Sequence, residues 1–112
     1  MNPEKIVQKQ LDAYNNRSLS EFLKCYANDI QIYNFKEELP YIKGLESLAK
    51  VYEKVFNDSP DLCATIANRI VYNNKVIDKE QVTGRNGVDF IEVVVIYEIV
   101  NNLISEVHFI KN

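Results

Sequence analysis

A chain of 112 residues has room for one domain, 1–112, and not for two. Hydrophobic residues at 46% and charged residues at 26% exclude a disordered chain. Lys and Arg number 13 against 16 Asp and Glu, a net charge of -3, and no basic cluster supplies the field a polyanion needs, so nucleic acid is excluded as a partner. The opening Met1-Asn2-Pro3-Glu4-Lys5 lacks the basic and apolar regions of a secretory leader. Runs such as Val93-Val94-Val95-Ile96-Tyr97 are too short to span a bilayer. A cytoplasmic protein with no membrane partner is expected. Cys25 and Cys63 match neither a metal spacing nor a CxxC motif, and in a reducing compartment they read as buried thiols.

Asn2 is a helix cap, Pro3 suits the first helical position, and Glu4 complements the helix dipole. Ile6, Val7, Leu11 and Tyr14 then recur at helical spacing until Asn15-Asn16. Ser18 and Glu21 read as a capping box before Leu19, Phe22, Leu23 and Tyr26, with Asn28-Asp29 closing this second helix. A short strand over 30–35 and a charged loop, Lys36-Glu37-Glu38, come next. Gly44 opens a third helix whose stripe is Leu45, Leu48, Ala49, Tyr52, Val55 and Phe56, and Asn57-Asp58-Ser59-Pro60 ends it.

From Leu62 onward, four runs rich in Val, Ile, Thr and Tyr are separated by Asn73-Asn74, Asn86-Gly87 and Asn101-Asn102. Asn and Gly tolerate the positive φ of two-residue hairpin turns, so three consecutive hairpins are predicted. Two-residue turns set a register. It opposes Arg69 to Asp78, Val71 to Val76, Asp78 to Val95, Glu80 to Val93, Tyr97 to Glu106, and Val95 to His108. One face then gathers Arg69, Asp78, Glu80, Tyr97, Glu106 and His108 among apolar residues. The other holds Ile66, Ile70, Tyr72, Ile77, Phe90, Val94, Ile96, Val107 and Phe109. The helices can cover only one of these apolar faces, so a homodimer through Val94, Ile96, Val107 and Phe109 is expected. A one-residue bulge would exchange the two faces for the strand beyond it.

The pattern Ile6-Val7-Gln8 to Tyr14-Asn15, Leu19 to Phe22-Leu23, Tyr26-Ala27-Asn28-Asp29-Ile30, the Gly44 helix start and the closing hairpin resembles the nuclear transport factor 2-like superfamily, in its SnoaL-like or ketosteroid-isomerase-like branch. The resemblance implies an α+β, cystatin-like roll. In it, three N-terminal helices precede a cone-shaped, curved antiparallel sheet that wraps a long helix around a ligand cavity. It also implies a homodimer. Its functions range from isomerases, cyclases and hydrolases to non-catalytic binding or assembly modules. Aligned on ketosteroid isomerases, this chain has Gln10 at the oxyanion-hole tyrosine, Asn34 at the general-base aspartate and Val95 at the proton-sharing aspartic acid. Steroid isomerisation of that type is therefore not expected. The same alignment puts Tyr97, Glu106 and His108 toward the cavity, and the Lys36-Glu37-Glu38 loop at its mouth.

His108, the only histidine, with Glu106 and Tyr97 forms the candidate acid/base group. The commoner role of such a histidine is structural, as a partly buried residue satisfied by a neighbour. Asn34, Val93, Val95, Tyr52, Phe56, Asp78 and Arg69 are the candidate ligand-binding residues, with Asp78 and Arg69 read as a cross-strand ion pair. Glu80 stands out, since an unpaired carboxylate among Val93 and Ile91 has a raised pKa. Tyr14, Tyr26 and Tyr52 read as core packing. No metal-ligand spacing, phosphate loop or nucleophile elbow occurs, and no cofactor is expected. The expected ligand is a small apolar or amphipathic molecule, used either by a cofactor-independent enzyme or by a non-catalytic sequestering or assembly module.

Overall fold

The computed structural model describes residues 2–111. Helix α1 (Pro3–Asn15) starts as its sequence dictates, with the Asn2 side chain accepting the Lys5 N–H at 3.3 Å and Pro3 in the first turn. It ends where Asn15 reaches out of the helix and pairs with both backbone groups of Ala64, at 2.7 and 3.0 Å. That one amide side chain ties the end of α1 to the start of the β-region.

Helix α2 (Leu19–Leu23) has Ser18 at its cap, but the hydroxyl makes no capping hydrogen bond. Four residues predicted as helix join strand β1 (Tyr26–Asn34) instead. The Cys25 carbonyl accepts the Ile104 N–H at 2.8 Å, so pairing with the last strand captures this segment before another helical turn can form. A two-residue strand, β2 (Ile42–Lys43), precedes α3 (Leu45–Asp58), and Gly44 takes φ +89 at the junction.

Strands β3 (Cys63–Tyr72), β4 (Lys75–Thr83), β5 (Phe90–Val100) and β6 (Leu103–Lys111) form the predicted hairpins. Six strands make one curved, unclosed sheet in the order β2-β1-β6-β5-β4-β3, antiparallel except where β1 runs parallel to β6. The α+β, cystatin-like architecture is therefore the one predicted. Asn101 and Asn102 both take positive φ in the last turn. Val88 donates to the Arg85 carbonyl at 3.0 Å around Asn86-Gly87, although the ladder stops at Thr83 and Phe90.

The registers of β3 with β4 around Asn73-Asn74, and of β4 with β5, follow the two-residue arithmetic. Two bulges change the rest. Beyond Asn68, Ala67 is an extra residue on β3, which brings Ile66 opposite Glu80 and onto the helix-covered face. On β6 the extra residue is Ser105: Ile99 pairs with Ile104, but Glu98 pairs with Glu106. Ser105 Oγ donates to the Glu98 carbonyl at 3.2 Å, serving a backbone group at the interrupted ladder. From there outward the faces of β6 are exchanged relative to prediction.

Aromatic rings fill the space between helices and sheet. Phe22 lies 4.8 Å from Tyr52 and 4.9 Å from Tyr26, and Tyr14 meets Phe56 edge-on at 5.7 Å. Of the two cysteines, neither is disulfide-bonded; Cys25 is buried as expected, but Cys63 is exposed at the start of β3. No helix among the described residues is long and apolar enough to cross a membrane.

Gly84 anchors the β4–β5 loop to the end of α3. It takes φ +75, and a Cβ there would stand 2.0 Å from the Asp61 carbonyl oxygen. Gly84→Ala is expected to cost about 2 kcal/mol or more through backbone strain and forced separation. Urea unfolding of the variant against wild type measures this directly.

Candidate functional site

The inner face of the sheet is built in rows. One row runs Val71, Val76, Tyr97, Val107 and Ile32, and the next runs Arg69, Asp78, Val95, Phe109 and Asn34. A third runs Ile66, Glu80, Val93 and Lys111. Between these rows and the helices lies a cavity of about 190 Å³. Apolar residues such as Leu11, Ile32, Val93 and Phe109 line much of it, and polar groups enter at two places.

The inner polar group is a chain of four side chains. Tyr97 Oη donates to Glu80 Oε2 at 2.9 Å, Gln10 Nε2 donates to Tyr97 Oη at 3.2 Å, and Tyr26 Oη donates to Gln10 Oε1 at 2.9 Å. All four residues are buried and all four line the cavity. Burial pushes the Glu80 carboxyl up to about 7; the Tyr97 hydrogen bond opposes this, the negative Asp78 adds to it, and Arg69 opposes it. Burial also raises Tyr97 and Tyr26, so both remain phenols at neutral pH.

Asp78, two residues away on β4, has a different environment. Arg69 grips it with two hydrogen bonds of 2.7 and 2.8 Å, and donates a third of 2.8 Å to Gln8 on α1. Asp78 is fully buried, but its charge is matched. Two acids on one strand face thus differ: one is paired with a cation, the other with a phenol.

The second polar group is cationic. Arg85 from the β4–β5 loop and Lys111 at the end of β6 line the cavity from its exposed side.

Of the predicted acid/base trio, only Tyr97 faces this cavity. The Ser105 bulge turns Glu106 and His108 to the outer face, where their side chains lie 3.6 Å apart and His108 stacks on Tyr33 with ring centroids 4.8 Å apart. Had they pointed inward, Val107 and Phe109 would face solvent, forfeiting about 2 kcal/mol of apolar burial each. Val93 and Tyr52 are among the residues lining the cavity. Val95 and Phe56 are buried beside it, in the sheet wall and the aromatic cluster. Asp78 and Arg69 form their ion pair behind the cavity wall. Asn34 lies outside the lining, and its buried Oδ1 has no hydrogen-bond partner among the described residues.

Glu80 is the principal residue that the predicted trio omitted, and its signal was an acid placed among valines and isoleucines. Gln10 was visible only as the counterpart of a family tyrosine. Arg85 and Lys111 sit in a turn and at a strand end, where periodicity carries no information.

A family model described as SnoaL-like domain matches residues 7–107. The chain belongs to the SnoaL-like domain family. No functionally curated protein sequence matches it. Among solved structures, an uncharacterised cystatin-fold protein from Novosphingobium aromaticivorans is similar, with a TM-score of 0.90 and 20% identity over 99% of each chain. A candidate ketosteroid isomerase from Kribbella flavida has a TM-score of 0.82 at 20% identity, covering 98% of this chain and 77% of its own. A computationally designed 17-OHP binder has a TM-score of 0.85 at 14% identity, covering 100% of this chain and 93% of its own. At these identities the likeness concerns the fold. Within this SnoaL-like domain, Gln10 hydrogen-bonds to Tyr97 in the cavity, whereas Asn34 and Val95 do not line it.

Glu80 makes a pH prediction whose sign follows from its raised pKa. Between its ordinary 4.5 and about 7, the folded protein holds a proton that the unfolded chain releases. Its contribution to stability is therefore fully present at and below about pH 4.5, is lost as pH rises from there through 7, and is level above that. The displacement corresponds to about 3 kcal/mol. Glu80→Gln, which keeps a hydrogen-bonding group beside Tyr97, is expected to be more stable than wild type at pH 8 by up to that amount. The difference should vanish toward pH 5. Urea titrations of both proteins at pH 5, 6, 7 and 8 read it, and other carboxylates cancel in the comparison.

Proposed function

We propose that the cavity binds a small, mostly apolar molecule and that Glu80, with Tyr97, exchanges a proton with it. The observation carrying this reading is a carboxyl group poised near pH 7 on the wall of an otherwise largely apolar cavity. A group with that pKa donates and accepts protons with comparable ease at neutral pH, which suits general acid/base catalysis. Tyr97 stays protonated and, with Gln10, offers hydrogen bonds to an oxygen of the ligand. The reaction class is proton transfer next to a carbonyl, or addition of water or an internal nucleophile: the work of an isomerase, cyclase or hydrolase without a cofactor. This reassigns the acid/base role from His108 and Glu106 to Glu80 and keeps Tyr97.

A second reading is a non-catalytic ligand-sequestering or assembly module, favoured by the mutual satisfaction of Glu80, Tyr97, Gln10 and Tyr26. Mass spectrometry of natively purified protein identifies what occupies the cavity, and turnover of that molecule separates the readings. Catalysis by Glu80 predicts that Glu80→Gln lowers turnover at least about 100-fold while the molecule still binds. Binding without turnover in wild type supports the sequestering module.

We also propose that the outer sheet face packs against a second copy. Its central row is Ile70, Ile77, Ile96, His108 and Tyr33, beside a row of Lys75, Glu98, Glu106, Gln31 and Lys43 with acids at its centre and lysines at its ends. Val94 and Ile96 belong to this face as expected, but Val107 and Phe109 point into the molecule and Ile110 stands in their place. Apolar residues bordered by both charges are self-complementary under a two-fold axis. Ile96→Lys is expected to halve the mass measured by light scattering, and an unchanged dimer would rule this face out as the interface.

A further inference from the structure

Resting on the reading of the cavity as a ligand site, we propose that its mouth is an anion subsite. The ligand is an amphipathic carboxylate or similar small oxyanion, held by Arg85 and Lys111 with its apolar body inside.

Two distant parts of the chain supply these cations. Lys111 closes the row that begins at Ile66, opposite Val93, and Arg85 projects from the loop after β4. Both line the same cavity. Lys111 Nζ stands 5.3 Å from the Tyr41 ring centre and 5.2 Å from that of Phe109, and both rings belong to the lining as well. The two rings thereby hold the ammonium at the cavity lining. Among the described residues, neither Lys111 nor Arg85 lies within ion-pair distance of a carboxylate, in contrast to Arg69 with its bidentate hold on Asp78.

The two cations also act on each other. Burial and then the positive charge of Arg85 depress the Lys111 pKa, and Glu37 offsets only part of this. In a protein of net charge -3, convergence of two positive groups on one apolar opening is unfavourable until an anion lies between them. Burial points to the same orientation. Glu80 is the buried acid of the lining while Arg85 and Lys111 are exposed, and once ionised Glu80 repels a carboxylate, so an anionic head faces the exposed cations and the tail lies inside.

Size limits the tail. A cavity of about 190 Å³ is little larger than the ~150 Å³ space that takes benzene in an engineered protein, so the enclosed part is about one ring or a short chain.

The test uses phenylacetate, 3-phenylpropionate and 4-phenylbutyrate, each beside its primary amide, by isothermal titration at pH 8 in low salt. At least one acid is expected to bind ten-fold or more tightly than its amide, with the advantage shrinking in 0.5 M NaCl. In an Arg85→Gln/Lys111→Gln double variant, both positions being exposed and the fold checked by circular dichroism, acid and amide should bind alike. Amides binding as tightly as acids in wild type would overturn the anion subsite while leaving the cavity a ligand site. A preference for acid that survives in the double variant would overturn it too. Failure of all six probes to bind folded wild-type protein would overturn the cavity reading, and this inference with it.

Discussion

A β-strand alternates its side chains with a period of two, so one unpaired residue decides which face everything beyond it occupies. In this protein that residue is Ser105. It lets Ile104 and Val107, three positions apart, both point inward, which a regular strand forbids. The inner wall gains Val107, Phe109 and Lys111, and the outer face gains Glu106, His108 and Ile110. The apolar lining, the cation at the mouth and the composition of the outer face all depend on this bulge. Burying Val107 and Phe109 and leaving a carboxylate and an imidazole partly solvated is the favourable partition.

Beyond that partition, the interior is organised around two acids on β4 that meet different neighbours. Asp78 is neutralised by a guanidinium whose geometry matches a carboxylate, and the pair links the sheet to α1 through Gln8. Glu80 has no such partner. Its hydrogen bonds come through neutral groups, a phenol and then an amide, so desolvation dominates and the proton is retained to near-neutral pH. A cation beside Glu80 would have made a second structural ion pair. A phenol instead leaves a group able to change its protonation state where a ligand could meet it.

The same side chains serve packing and site. Tyr14, Tyr26 and Tyr52 belong to the aromatic cluster that joins the helices to the sheet, and they also line the cavity. Rings suit both purposes because they fill volume rigidly while keeping a polar hydroxyl at one edge. The cavity is accordingly a gap in a stiff aromatic packing, bounded by a sheet whose curvature keeps it from closing against the helices. The Gly84 junction, where backbone meets backbone without room for a Cβ, holds the loop carrying Arg85 at the rim.

Helix stripes, the Asn2-Pro3 start, the asparagine turns and the register of β3, β4 and β5 were legible in the sequence, because each depends on residues close together in the chain. Counting outward from Asn73-Asn74 and Asn86-Gly87 aligns those strands, and with them Arg69 against Asp78 and Glu80 against Val93. An acid in that apolar setting was visible as an anomaly before any fold was known. The rest was decided by tertiary structure. β1 took over four residues with helical spacing because β6 offered backbone partners, and β6 kept a bulge because β5 and β1 on either side required Val107 and Phe109 inside. Whether Glu80 met a cation or a phenol, and whether Arg85 and Lys111 met at one opening, depended on side chains far apart in sequence. Local propensity fixes turns and periodicity, whereas the choice of buried face is made only when strands compete for one core.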